Sequence, residues 1–134
     1  MNCVFCSVVE KNEPHHEIVW SDKRHIAFLN IKPAQPGHVL VIPRKHVDDG
    51  FDLSSEEFGA LMEASRRLAV PLKAVLNPSR VALALEGFHV PHAHVHLIPV
   101  NKSGDMMNET KEPVPSEELV PIAEALRAAI ASTL

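Results

Sequence analysis

The segment from His92 to Pro99 constrains this chain more than any other, because His92, His94 and His96 alternate there with Ala93, Val95 and Leu97. A period of two is what a β-strand with two different faces requires, since successive side chains of extended backbone point to opposite sides. The pattern predicts three imidazoles on one surface of the strand and apolar side chains on the other. A solvated polar face accounts poorly for three histidines in succession, so this segment is the first candidate for chemistry.

The rest of the chain supplies neighbours for that strand. Residues 17–20 and 26–29 are short runs separated by the turn-forming stretch Ser21 to Arg24, and predict a hairpin. Lys32 to Gly37, with Pro33, Pro36 and Gly37, is expected to be irregular; a third strand from His38 to Pro43 follows and puts His38 at its entrance. Ser54, with Glu57 three positions later, reads as a capping box. The helix it opens carries Phe58, Leu61, Met62, Ser65, Leu68 and Ala69 on one face, is expected to kink or break at Pro71, and closes at Asn77-Pro78. Val81 to Leu85 is an apolar run, and Glu86-Gly87 a turn or bulge. Residues 101–115 are polar, contain Gly104, Pro113 and Pro115, and read as a mobile loop. A C-terminal helix over about residues 116–133 should bury Leu119, Ile122, Ala123, Leu126 and Ile130 along one stripe. Elements in this order predict a single α+β domain over residues 1–134, with a mainly antiparallel sheet, one long central helix and the C-terminal helix.

Composition narrows the class of function. With 46% hydrophobic residues in 134, the chain can close one core. A formal charge of -4 removes the uniform positive field on which non-specific nucleic-acid binding depends, so a DNA or RNA duplex is not an expected partner. The N-terminal residues lack a secretory pattern, and no apolar run approaches the roughly 20 residues that span a bilayer. A cytoplasmic protein without a membrane partner is expected. The two cysteines, Cys3 and Cys6, form a C-x-x-C pair, which in a reducing compartment reads as metal ligation or redox chemistry.

Imidazole serves both as a metal ligand and as a nucleophile or acid-base group near neutral pH. If all three alternating histidines held a catalytic metal, Cys3, Cys6 and His46 would have no partner. One histidine joined to those three instead completes a closed Cys2His2 tetrahedron and leaves two for chemistry. A catalytic ion on the triad stays as the alternative, one that chelation would expose at once. His89 reads as a loop histidine, and His15, His16 and His25 as solvated positions near the first hairpin.

The segment HAHVHLI, His92 to Ile98, resembles the signature of the histidine-triad (HIT) family. Ala27 to Val47, AFLNIKPAQPGHVLVIPRKHV, is similar to that family's central segment, and CVFC at Cys3 to Cys6 to its zinc-bearing bacterial members. These matches cover about residues 1–100 in the same order. The resemblance implies a HIT-like fold with a sheet of about five strands, and a nucleotide hydrolase or nucleotidyl transferase acting on a purine nucleotide. His94 would attack the α-phosphorus and become nucleotidylated, His96 and His38 would flank the phosphate, and water would release a nucleoside monophosphate. It also implies structural zinc on Cys3, Cys6, His46 and His92. Asn30 would hold the ribose hydroxyls, its amide able both to donate and to accept. Val4, Phe5, Val8, Phe28 and Ile31 would surround the base, and two chains would pair as a homodimer.

The resemblance breaks at EGFHVP, Glu86 to Pro91, where many relatives carry a longer glycine-rich loop with Gly-Gln-Ser. Without those side chains the leaving group is open: a phosphoramidate, a dinucleoside polyphosphate or an acyl nucleotide. The same deficit motivates a second expectation, a nucleotide-binding regulatory module with little turnover.

Overall fold

The structure, a computed structural model, describes residues 3–10 and 16–134; His15 lies outside them. A short helix α1 (Val4–Val9) is followed by strands β1 (Ile18–Ser21), β2 (His25–Leu29) and β3 (Val39–Pro43). Helix α2 (Ser55–Leu76), strands β4 (Arg80–Ala84) and β5 (Val95–Val100), and helix α3 (Ser116–Thr133) complete the order. The strands form one five-stranded sheet in the order β1-β2-β3-β5-β4, every neighbouring pair antiparallel. The fold is α+β, as the element order predicts.

Strands β2 and β3 are buried at every position because both faces of the sheet are covered. Ala27, Leu29, Val39 and Val41 point to the larger core, where Leu61, Leu68 and Leu72 of α2 and Leu119, Ala123, Leu126 and Ile130 of α3 pack on the sheet. Ile26, Phe28, Leu40 and Ile42 point the other way, to a smaller cluster closed by Cys3, Phe5 and Val8. Period-two alternation thus divides apolar residue from apolar residue here, which is why these strands read as continuous hydrophobic runs.

Helix α2 begins as its capping box requires. The Ser54 hydroxyl oxygen accepts from the Glu57 N–H at 3.1 Å, and the Glu57 carboxylate accepts from the Ser54 N–H at 2.9 Å. It ends at Asn77, which takes the left-handed conformation with φ 49°. The expected break at Pro71 does not occur: the helix runs through it to Leu76. Proline removes one backbone hydrogen bond, but Leu68, Pro71 and Leu72 are all buried, and that packing holds the turns on either side.

Two further expectations are corrected. The last strand starts at Val95, so His92 and His94 precede the ladder and only His96 lies in it, opposite Leu40. Pro91 and a bend cause this. The His92 N–H is donated to Val90 O at 2.8 Å and the Ala93 N–H to Val47 O at 2.6 Å, bonds that belong to no strand pairing. Residues 101–115 are not a free loop either. A 3-10 turn, Asp105–Met107, is tied by the Asp105 carboxylate, which accepts from the N–H groups of Asn101 and Lys102 at 2.8 and 3.1 Å. Gln35 donates to Asp105 O at 3.0 Å, and Val114 N–H to Ile31 O at 2.8 Å, so the segment is laced to the Asn30–Gln35 turn.

Candidate functional site

A cleft of about 510 Å³ opens beside β3 and β5, within the usual size range of small-molecule sites. His94 and His96 form its floor, Val4, Phe5, Ile31 and Leu40 an apolar wall, and residues 86–90 one rim. Gly87 adopts φ +103°, a backbone conformation that favours glycine, and this turn brings the short rim beside the His94 imidazole, where a Cβ would make ordinary contact at 3.4 Å.

Hydrogen-bond partners fix which nitrogen of each ring carries the proton. His94 is 5% exposed, and its Nδ1 lies 2.7 Å from the carbonyl oxygen of His92. That oxygen can only accept, so Nδ1 holds the proton and Nε2 keeps a free lone pair. Phe5 packs edge-on against the same ring, centroids 5.0 Å apart. His38, 1% exposed, is set the opposite way: the Ala34 N–H donates to its Nδ1 at 2.9 Å, so its proton is on Nε2. His38 Nε2–H then donates to His96 Nδ1 at 2.9 Å, which leaves the His96 proton on Nε2. The chain Ala34, His38, His96 therefore ends in a neutral donor.

The electrostatics agree with that assignment. Burial, with the neighbouring His96 and His94, pushes His38 down to about 3, and burial with His94 pushes His96 down to about 4. Burial also lowers His94, against the opposing pull of the His92 carbonyl. All three rings are thus neutral at physiological pH. His38, His96 and Glu109 also lie close enough together to suggest a metal group. The hydrogen bonds argue otherwise, because a metal on His38 Nε2 would force its proton onto Nδ1, against the Ala34 N–H.

A second cluster lies behind Phe5. The Sγ atoms of Cys3 and Cys6 and the Nδ1 atoms of His46 and His92 all lie within 4.8 Å of one another. His92 Nε2–H donates to Pro43 O at 2.8 Å, so its Nδ1 lone pair points into the cluster. That Nδ1 stands 3.6 Å from Cys3 Sγ, 3.5 Å from Cys6 Sγ and 3.3 Å from His46 Nδ1. Converging lone pairs on two thiol and two imidazole groups make a set that could hold a metal ion with every position filled by protein.

The structure brings His38, His94 and His96 together, and separately Cys3, Cys6, His46 and His92. Of the apolar residues named for the base, Val4, Phe5 and Ile31 line the cleft, whereas Val8 and Phe28 lie behind its wall in the smaller core. Asn30 is at the rim, with its Oδ1 accepting the Lys32 N–H at 2.9 Å and its Nδ2 donating to Glu109 at 3.1 Å. His89 also lines the rim. His25 is buried, not solvated, because it opens β2 with its ring against the Asp22 carboxylate at 3.2 Å. His16 is half-buried, edge-on to Phe28, and lines the cleft. Sequence reasoning missed His16, Leu40 and residues 109–111 as cleft residues; no local pattern marks them, since tertiary packing alone brings them there.

Comparison with known proteins agrees with this geometry. Residues 11–103 match the HIT domain model. An uncharacterised HIT-like protein of Saccharolobus solfataricus is 33% identical over 122 residues, covering 87% of this chain and 85% of that protein. The asymmetrical bis(5'-nucleosyl)-tetraphosphatase of Schizosaccharomyces pombe is 34% identical over 98 residues, covering 69% of this chain and 54% of that enzyme, so the match spans about half its length. Among solved structures, a Zn-bound histidine triad family protein from Mycobacterium smegmatis superposes with a TM-score of 0.81 at 27% identity, covering 98% of this chain and 95% of that one. With the family model matching most of the chain, and with His94 and His96 of the alternating histidines set at the cleft, this protein belongs to the HIT domain family.

Proposed function

We propose that this chain cleaves a phosphoramidate or phosphoanhydride bond at the α-phosphorus of a purine nucleotide, through a nucleotidyl intermediate on His94. The observation that carries the reading is the 2.7 Å bond from His94 Nδ1–H to the His92 carbonyl, which leaves Nε2 free as a nucleophile on a ring that lines the cleft. Attack forms an N–P bond while the bond from phosphorus to the leaving group breaks and its electron pair departs with that group. Water then attacks the same phosphorus, the N–P bond breaks, and a nucleoside monophosphate leaves. His96 Nε2–H, held as a donor by His38, stabilises the charge that builds on the phosphoryl oxygens. Val4, Phe5 and Ile31 with Leu40 hold the base by shape and apolar contact.

Zinc is the metal the Cys/His cluster suits best. A tetrahedral zinc with bonds of about 2.05 Å to nitrogen and 2.3 Å to sulfur gives edges of about 3.3 Å between two nitrogens and about 3.5 Å between nitrogen and sulfur. The spacings of 3.3 Å for His46 to His92 and 3.2–3.6 Å for the nitrogen–sulfur pairs match these. Four protein ligands leave no place for a reacting water, so the ion would act as a structural cross-link between α1, the residues after β3 and His92. The reading includes a cytoplasmic location and a homodimer that covers the open edge of β4.

The test measures nucleoside monophosphate released from adenosine phosphoramidate, diadenosine polyphosphates and their guanosine counterparts, by the native protein and by His94→Ala. Release that disappears in the variant supports the covalent route and ranks the leaving groups. One observation favours a second reading, a binding module with little turnover: the rim from Glu86 to Pro91 offers no hydroxyl or amide side chain to a departing group. Nucleotide bound without release from any of these substrates would favour that reading.

A further inference from the structure

We infer that Glu109, on the segment after β5, is the acceptor that recognises the ribose hydroxyls, paired with Asn30 as the donor, so that the cleft selects ribonucleotides over deoxyribonucleotides. The inference rests on the nucleotide reading above. A ribose hydroxyl both donates and accepts, and a site specific for it needs one group of each kind. The Asn30 oxygen already spends one of its two lone pairs on the Lys32 N–H at 2.9 Å, so a charged acceptor beside it adds to what the amide offers. Its Nδ2 lies 3.5 Å from His38 Nε2 and donates to a Glu109 carboxylate oxygen at 3.1 Å. The carboxylate thus stands beside the only Asn30 protons available to a sugar, and its other oxygen has no recorded partner among the described residues. An ionised carboxylate also makes a stronger bond to a hydroxyl than a neutral amide does.

The position of Glu109 is built into the fold. On one side of it, Gln35 donates to Asp105 O at 3.0 Å; on the other, the Thr110 N–H donates to Pro33 O at 3.3 Å and the Val114 N–H to Ile31 O at 2.8 Å. All three bonds join it to the turn that carries Asn30, so the segment bearing Glu109 is tied to that turn on both sides. The group distances within the cleft give the same placement, with the Glu109 carboxylate within 4.8 Å of ring nitrogens of both His38 and His96. It therefore lies next to the phosphate-binding imidazoles, where the sugar of an α-phosphate-bound nucleotide must sit.

A carboxylate this close to a phosphate also repels it, so affinity alone is a poor test. The ratio of affinities for two ligands with the same phosphate cancels that repulsion. Calorimetric titration with AMP, 2′-deoxy-AMP and 3′-deoxy-AMP measures it directly and needs no turnover. The native protein should prefer AMP by about 10- to 100-fold over at least one deoxy analogue, the range of a hydrogen bond to a charged group. Glu109→Gln should cut that ratio by about 10-fold, whether AMP itself binds more weakly or more tightly. Equal binding of the three ligands by the native protein, or an unchanged ratio in the variant, overturns the role of Glu109. Failure to bind AMP at all overturns the purine-nucleotide reading, and the inference with it.

Discussion

Acidification should weaken this fold through His38, by an amount the structure allows to be worked out. The ring is 1% exposed, accepts from the Ala34 N–H and donates to His96, so a second proton would break the Ala34 bond and place a charge in the core. His96 and His94 oppose that charge, and the nearby Glu109 carboxylate is the acidic group facing it. The folded value of about 3 lies below the ordinary histidine value of 6.5. Between those values the unfolded chain binds a proton that the folded chain refuses, so stability is complete above pH 6.5 and falls as pH drops toward 3. Each pH unit in that window is worth about 1.4 kcal/mol, and from pH 6.5 to pH 5 the loss from this one ring is about 2 kcal/mol. Urea unfolding at pH 7.5 and pH 5.0, for the native protein and for His38→Asn, isolates it, because every other titrating group is common to both. The native protein should lose about 2 kcal/mol more than the variant, a difference of roughly 1 M in midpoint. Equal losses would show that His38 accepts its proton in the folded state, and the assignment of His96 as a neutral, fixed donor would fall with it.

Chelation should lower the melting temperature by roughly 10–20 °C, since an ion held about 1,000-fold above its dissociation constant contributes about 4 kcal/mol. Thiol titration should then find Cys3 and Cys6 newly reactive, whereas a native protein with no bound metal and no response to chelator would refute the cluster as a metal site. Gly87→Ala should slow nucleoside monophosphate release, because the φ of +103° strains any L-residue by about 1–3 kcal/mol and relaxing it shifts the rim that lies beside the His94 ring. Unchanged kinetics in that variant would mean the rim does not lie beside His94 in solution.

Much of this fold was legible because local rules and global packing agree. The Ser54–Glu57 capping box, the hairpin around Asp22 and the apolar stripe of Leu119, Ala123, Leu126 and Ile130 each follow from residues a few positions apart. What failed depended on distant partners. Pro71 reads as a breaker until the core that buries it is known, and residues 101–115 read as mobile until their bonds to the Asn30–Gln35 turn are seen. The cleft divides in the same way. Its alternating histidines are a pattern in sequence, but Glu109 stands 79 positions from Asn30, and nothing near it in the chain announces a site.

The three alternating histidines look equivalent in sequence, yet their geometry makes them unequal, and His92 shows why. Its ring uses both nitrogens away from the cleft: Nε2–H on Pro43 O at the end of β3, and Nδ1 toward Cys3, Cys6 and His46. Its backbone carbonyl, on the same residue, is what holds the Nδ1 proton of His94. An ion on the cluster would therefore clamp the very peptide group that sets which nitrogen of His94 is free. Phe5 provides a second link, since it sits between Cys3 and Cys6 in α1 and packs edge-on against both His92 and His94, at 6.2 and 5.0 Å. On this argument a metal held there would support the proposed chemistry without touching substrate. It would stiffen the two supports, one backbone and one aromatic, that keep His94 in a single tautomer and a single orientation.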